Sequence, residues 1–269
     1  MPRIAVGLEY DGAQFAGWQS QQPGVSSVQE ACEAAFSSIA AAPVSLVCAG
    51  RTDAGVHAQG QVVHFDTDAV RGERGWVLGA NANLPDSISV SWARTVPRHF
   101  HARYSAEART YRYFVLNRLG RSALAAQRAA LIYRPLDAER MAAAAALLVG
   151  NHDFSAFRAA GCQARSPTRR LYGLTVERIA DQIVIEATAN AFLQHMVRNL
   201  VGLLLDVGVG KAPPQWAGEV LASRDRTLSS PTAPAQGLYF WKVRYPKAFG
   251  LPEEAAGPVS AIICNPPPG

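Results

Sequence analysis

Lysine is nearly missing from this chain. Of the 26 basic residues only Lys211, Lys242 and Lys247 are lysines, and the others are arginine. Arginine offers a planar fork for two-point contact with phosphate and a flat face for stacking on bases. A GC-rich genome produces the same bias, so the ratio alone excludes nothing. Cysteine is scarce as well. Cys32, Cys48, Cys162 and Cys264 are the full set, and none pairs at metal-ligand spacing. That argues against a structural zinc site and against a disulfide framework. Long apolar runs are absent too. The most apolar stretch, residues 200–209, is interrupted by Asp206 and is too short to span a bilayer. No charged-then-apolar leader precedes the first strand-like segment, so a cytoplasmic, non-membrane protein is expected.

What is present fits a well-cored globular protein of one or two domains. Hydrophobic residues make up 49% and charged residues only 17% of 269. The net charge of +5 is unevenly spread. Seven arginines lie in residues 94–121, with His99 and His101 among them, against the single acid Glu107. Residues 158–178 add five arginines against Glu177. Phe100, Tyr104, Tyr111, Tyr113 and Phe114 interleave with the first stripe. Basic stripes with aromatics are the footprint of nucleic-acid binding, although a solvated face over core aromatics gives the same pattern.

Element order supplies the fold class. Residues 4–10 read as a buried strand, and 11–25 as a loop. Ser26 or Ser27 caps a helix, with Gln29 or Glu30 at capping-box spacing, and Val28, Cys32, Ala35, Phe36 and Ile39 share one face. Strands follow at 44–48 and 61–65, a helix at 71–83 and a strand at 88–96. The second half repeats the order. It has a strand at 110–116, an Ala-rich helix at 138–149 capped by Asp137 and expected to be buried, and strands at 170–179 and 182–188. A helix at 192–207, a short helix at 215–223 and a last strand at 238–245 complete it. On that helix Gln194, His195, Arg198, Asn199 and Asp206 form the polar side. The expectation is an α+β protein of two tandem ferredoxin-like βαββαβ domains. They would form an extended, mainly antiparallel sheet with a central active-site cleft. The domains would be 1–106 and 107–246, followed by a Pro/Gly-rich tail at 247–269 whose Ile262 and Ile263 dock on the body.

The densest chemistry lies in residues 49–58, AGRTDAGVHA. Arg51, Asp53 and His57 fall within seven residues, bracketed by Gly50 and Gly55, on a connection between two strands. In extended backbone Arg51 and Asp53 point the same way, and a cation that close favours an ionised carboxylate. A solvated turn with a local ion pair would look the same. His57 reads as a residue that ties down the turn, and His64 as a satisfied sheet residue.

These segments resemble the tRNA pseudouridine synthase A family. GRTDAGVHA is preceded by GWQ and followed by ARTYRY. SVQE at Ser27, NANLP at Asn81, FHAR at Phe100, DFSAF, SPTRR at Ser166, ANAFLQHMVRNLVG at Ala189 and GLYF at Gly237 agree as well. The match runs from about residue 4 to 245. The resemblance implies the tandem fold above, a homodimer, and isomerisation of uridine to pseudouridine at positions 38, 39 and 40 of the tRNA anticodon stem-loop. It marks Asp53 as the catalytic aspartate, Arg51 as its active-site arginine, Tyr111 as the ring against the target base, and Arg169 as a further active-site arginine. Many members carry a basic residue after GWQ; residues 11–25 here have none.

The reaction detaches uracil, turns it over and rejoins it through carbon 5. Nothing is oxidised or lost, so no cofactor and no metal is expected. An ionised carboxylate near the sugar–base bond is required. Attack on the sugar, attack on the base and removal of a sugar proton are all compatible with the sequence. Tyr111 is expected to stack first and to transfer protons second, since a free phenol titrates near pH ~10. The target base must be flipped out of its stem. His57, Arg112, His195 and Arg198 are the remaining candidate substrate contacts, and Arg51 and Arg169 could hold flanking phosphates. Two rivals remain. One is a non-catalytic RNA-binding protein on the same fold, which would have no need of Asp53, Arg51 and Tyr111 together. The other is a glycoside-cleaving enzyme, which usually pairs two carboxylates.

Overall fold

The first strand shows why the chain folds as it does. Strand β1, Arg3–Tyr10, is buried along almost its whole length. Such a strand must be flanked on both edges and covered on both faces. Antiparallel partners flank it: β3, His57–Asp66, on one edge and β4, Ile88–Val96, on the other. The short strand β2, Val47–Cys48, pairs with the outer edge of β3. The computed structural model describes residues 1–22 and 24–252. The tail from residue 253, with Ile262, Ile263 and Cys264, lies outside the described residues, as does Pro23.

Two units emerge, Met1–Glu107 together with the stretch from Tyr239, and Ala108–Leu238. In the first, helix α1, Val28–Ala40, begins where Ser27 accepts the Glu30 N–H and donates to the Glu30 carboxylate. It stops at Ala41, which takes a left-handed conformation, two residues before the proline that also blocks continuation. Helix α2, Glu73–Asn83, packs beside it. Phe36 of α1, Phe65 of β3 and Trp76 of α2 meet with ring centroids 5.1–6.4 Å apart. Burying each ring contributes about 1.5–3 kcal/mol. Strand β10, Leu238–Arg244, was expected with the second half. From Tyr239 it groups with the first unit, where Tyr239 and Phe240 run parallel to His57 and Ala58 of β3.

The second unit is built on β5, Ala108–Leu116, β8, Thr168–Ile179, and β9, Gln182–Ala189. Strand β9 lies antiparallel between the other two. Two strands were not foreseen. Strand β6, Ala130–Leu131, runs parallel to β5, and β7, Gly150–Asp153, pairs antiparallel with β8. Strand β7 is polar, GNHD, and offered no alternating apolar pattern; pairing with β8 alone makes it a strand.

Helix α3, Ala138–Ala146, is capped by Asp137, but only Met141, Ala144 and Ala145 are buried. The expectation of an all-round buried helix is thus corrected. Alanine is small enough to face either solvent or core, so its run did not report burial. Helix α4, Met196–Gly208, starts later than expected because His195 takes a left-handed conformation, φ 61°. The short helix α5 is Trp216–Ser223.

Gly202 lies where α4 touches the 231–233 segment. A Cβ there would sit 2.1 Å from the Pro231 carbonyl oxygen. Gly202→Ala is expected to destabilise the protein by about 1–3 kcal/mol, the range for overpacking, and a thermal melt of the purified variant reads it directly.

Candidate active site

The turn that carries Asp53 is shorter than the sequence suggested, because β3 begins at His57 and not at residue 61. Its hydrogen bonds account for its shape. The Ala49 N–H bonds the Val62 carbonyl, and the Gln61 side chain donates to the Gly50 carbonyl at 2.7 Å. Buried Thr52 places its hydroxyl 2.8 Å from that of Tyr10. Burial pushes the Tyr10 phenol far above its ordinary range, so it stays protonated. Thr52 inside, Arg51 exposed and Asp53 half-buried follow the alternation of extended backbone.

Residues 11–18 close around this turn. The Trp18 N–H bonds the Thr52 carbonyl at 3.0 Å and the Gly55 N–H bonds the Phe15 carbonyl. Two glycines make the approach possible. A Cβ on Gly12 would lie 2.0 Å from the Val56 carbonyl oxygen, and one on Gly17, at φ +105°, would lie 2.7 Å from that of Thr52. Residues 11–25 are expected to be a loop with no assigned role. Among them Gly12, Phe15, Gly17, Trp18 and their partner Tyr10 instead hold the catalytic candidate in place. The signal available was the pair of glycines and the tryptophan, set in a loop whose one charged residue is Asp11.

His57 is 1% exposed and has the structural role expected of it. Its Nδ1 accepts the Gly12 N–H at 3.1 Å, and its ring stacks on Tyr239 at 4.6 Å. Asp11 Oδ1 is 3.1 Å from the same nitrogen. That burial leaves His57 no surface for a direct substrate contact. His64 is a sheet residue as read. It accepts the Ala102 N–H, and burial, with Arg3 and His101 nearby, lowers its pKa to about 4.

In the second unit Tyr111 lies on β5 opposite Ala187 and is 9% exposed, with its ring edge-to-face with Phe192 at 5.0 Å. Arg169, on β8, donates from Nη1 to the Ser166 and Thr168 carbonyls. Its Nε is buried with no hydrogen-bond partner among the described residues, and burial lowers its pKa. A desolvated guanidinium with an unused N–H suits an anion.

The polar side of α4 is a correction. Asn199, placed on the polar side of the helix, is buried at 1% exposure. Its amide donates to the Phe157 carbonyl, and its oxygen accepts from Thr232 and Arg226. Arg198 donates to the Ala233 carbonyl, and His195 precedes the helix half-buried.

The first arginine stripe is also less bare than its local sequence. Arg112 pairs with Glu186 at 2.6 Å directly across the β5–β9 ladder, Arg118 pairs with Asp181, and Arg94 with Glu73. Acids from other elements thus offset charge that a sequence window counts as uncompensated. Among the described residues, no group of three or more His, Cys, Asp or Glu is placed to hold a metal ion, and no helix is long and apolar enough to cross a membrane.

Residues 8–105 and 144–246 match the family described as tRNA pseudouridine synthase. The chain belongs to that family. It is 52% identical to the tRNA pseudouridine synthase A of Alcanivorax borkumensis over 96% of this chain and 97% of the relative. It is 53% identical to that of Pseudomonas aeruginosa, covering 95% and 90%. With that of Methylococcus capsulatus the identity is 54%, covering 94% and 93%. The family match spans both the Asp53 turn and the Arg169 strand.

His64 gives this unit an acid sensitivity. Its folded-state pKa lies below the ordinary 6.5, so the unfolded chain binds the proton more readily. Stability is therefore full above pH 6.5 and falls as pH drops toward about 4. His64→Gln, which keeps an acceptor for Ala102, is expected to flatten the fall in melting temperature across that window.

Proposed function

We propose that this chain isomerises uridine to pseudouridine at positions 38, 39 and 40 of the tRNA anticodon stem-loop, with Asp53 as the nucleophile. The observation that carries the reading is the presentation of Asp53. One half-buried carboxylate sits on a turn bound at Ala49, Gly50, Thr52 and Gly55, beside the exposed cation Arg51. A carboxylate so fixed meets the reacting bond without reorganising. Tyr111 stacks on the target base; its ring is held by Phe192 and so loses little freedom on binding. Arg169 offers its unused N–H to a phosphate or carboxylate. Arg112, His195 and Arg198 line the RNA path as secondary contacts, with the Arg112 charge shared with Glu186. Each half of the chain is a ferredoxin-like unit, and the order β4–β1–β3–β2 in the first supports this. The working form is a homodimer.

During the reaction the bond from the sugar to N1 of uracil breaks and N1 takes up a proton, while a bond to C5 forms and the hydrogen on C5 leaves as a proton. Tritium at C5 of the target uracil is therefore released to water. With no added cofactor, the purified chain is expected to release it from tRNA labelled in this way. Asp53→Asn is expected to abolish release while binding tRNA within about threefold of the parent, since uniform binding does not depend on the reacting group. Retained turnover in that variant would remove Asp53 as the nucleophile.

A further inference from the structure

The first unit holds one large ring well out in solvent on a tightly wired turn. Tyr104 is 76% exposed. The turn beneath it leaves little freedom. His101 Nδ1 accepts the N–H groups of both Arg103 and Tyr104 at 3.1 Å, and the His101 N–H donates to the Ser105 hydroxyl. The Ser105 N–H returns to the His101 carbonyl. Ala102 is held at both ends, its N–H by His64 and its carbonyl by the Tyr245 hydroxyl at 2.6 Å. Arg3 fixes the preceding residues through the Arg98 and Phe100 carbonyls.

The ring itself is also placed. Its centroid lies 4.3 Å from that of His101 at an interplanar angle of 32°, and the Arg103 guanidinium carbon is 5.6 Å from it. A side chain already ordered in this way stacks on another ring at small further entropic cost. Burial, with Arg3 and Arg103 nearby, lowers the His101 pKa, consistent with a neutral ring accepting both N–H groups. The location is informative as well. Cys48 enters the Asp53 turn, and its thiol, pushed up to about 12 by burial, is drawn back by both Arg51 and Arg103. Arg103, whose guanidinium lies over the Tyr104 ring, and Arg51 of the Asp53 turn are therefore both near Cys48 within one unit.

We propose that Tyr104, flanked by Arg103, is a stacking platform for an unpaired base of the RNA substrate near the uridine that reacts. The proposal rests on the tRNA reading above. Its chemistry is that of single-strand recognition, where an aromatic face carries the base and an arginine carries charge along the backbone. An exposed tyrosine with no partner would gain nothing from a turn so fully hydrogen-bonded.

The test compares Tyr104→Ala, Tyr104→Phe and Tyr104→Trp in the full chain. Affinity for a fluorescent anticodon stem-loop RNA is read across salt concentrations, with molecular mass by sedimentation. Tyr104→Ala is expected to weaken binding about tenfold, while Tyr104→Phe recovers most of the loss. The salt slope should not change, since stacking releases no counterions. Tyr104→Trp should show indole fluorescence quenched by the RNA. Binding by Tyr104→Ala within about twofold of the parent would overturn the platform, given the usual worth of one stacked base. So would an unquenched indole in the RNA-bound protein. A loss of affinity that tracks dissociation of an oligomer would assign the ring to a contact between copies instead. Tritium release by the parent chain separates the two levels. If the parent turns over and Tyr104→Ala binds normally, the platform alone fails. If the parent neither binds nor turns over, the tRNA reading fails and takes the platform with it.

Discussion

The first unit depends on a close approach of two pieces of backbone. Residues 11–18 lie against residues 49–57 at distances that exclude a side chain at Gly12 and Gly17. The Gly12 N–H and a ring nitrogen of His57 close the contact. Apart from one 3-10 turn at Gly12–Gln14 and the first residue of β3, His57, neither segment has regular structure of its own to hold it. Their mutual hydrogen bonds supply what a helix or sheet would otherwise provide. The result is a carboxylate on a loop that behaves as if it were on a rigid element. Under the proposed reading, a reaction that places one charge at one bond needs that property more than it needs a large cavity.

Charge is arranged with similar economy. The chain is rich in arginine, yet much of it is spoken for. Arg112, Arg118 and Arg94 meet acids, Arg3 clasps Asp66, and Arg109 is buried against the Asn190 carbonyl. Exposed pairs of this kind add little stability. Their effect is to lower the field of a surface that would otherwise attract any polyanion. The cations that stand out are set apart by circumstance. Arg169 is desolvated with a donor to spare, and Arg103 lies beside an exposed ring. Selectivity for one RNA element is better served by a few placed groups than by a uniformly basic face.

Most regular elements were legible because their signals are local. The Ser27–Glu30 cap, the apolar face of α1, the Asp137 cap and the strand after the Leu84–Asp86 turn depend on residues a few positions apart. The structure reproduces each of them. What failed to show were elements made by distant partners. Strand β7 exists because β8 lies beside it, and the start of α4 is set by a left-handed His195. Asn199 reads as a solvent-facing polar residue until Phe157, Arg226 and Thr232 arrive from elsewhere in the chain.

The candidate site divides along the same line. The sequence by itself determined the chemistry. Arg51, Asp53 and Gly55 stand in one short segment, and the motif carries the family with it, because residue types and close spacing are properties of the chain. Only the tertiary structure decided which of the candidate groups are buried, which are paired and which are left open. It buried His57, paired Arg112 with Glu186, left an N–H of Arg169 unused and held Tyr104 out in water. Burial and pairing are made by residues far apart in sequence, and a linear reading cannot sum contributions from neighbours it cannot see.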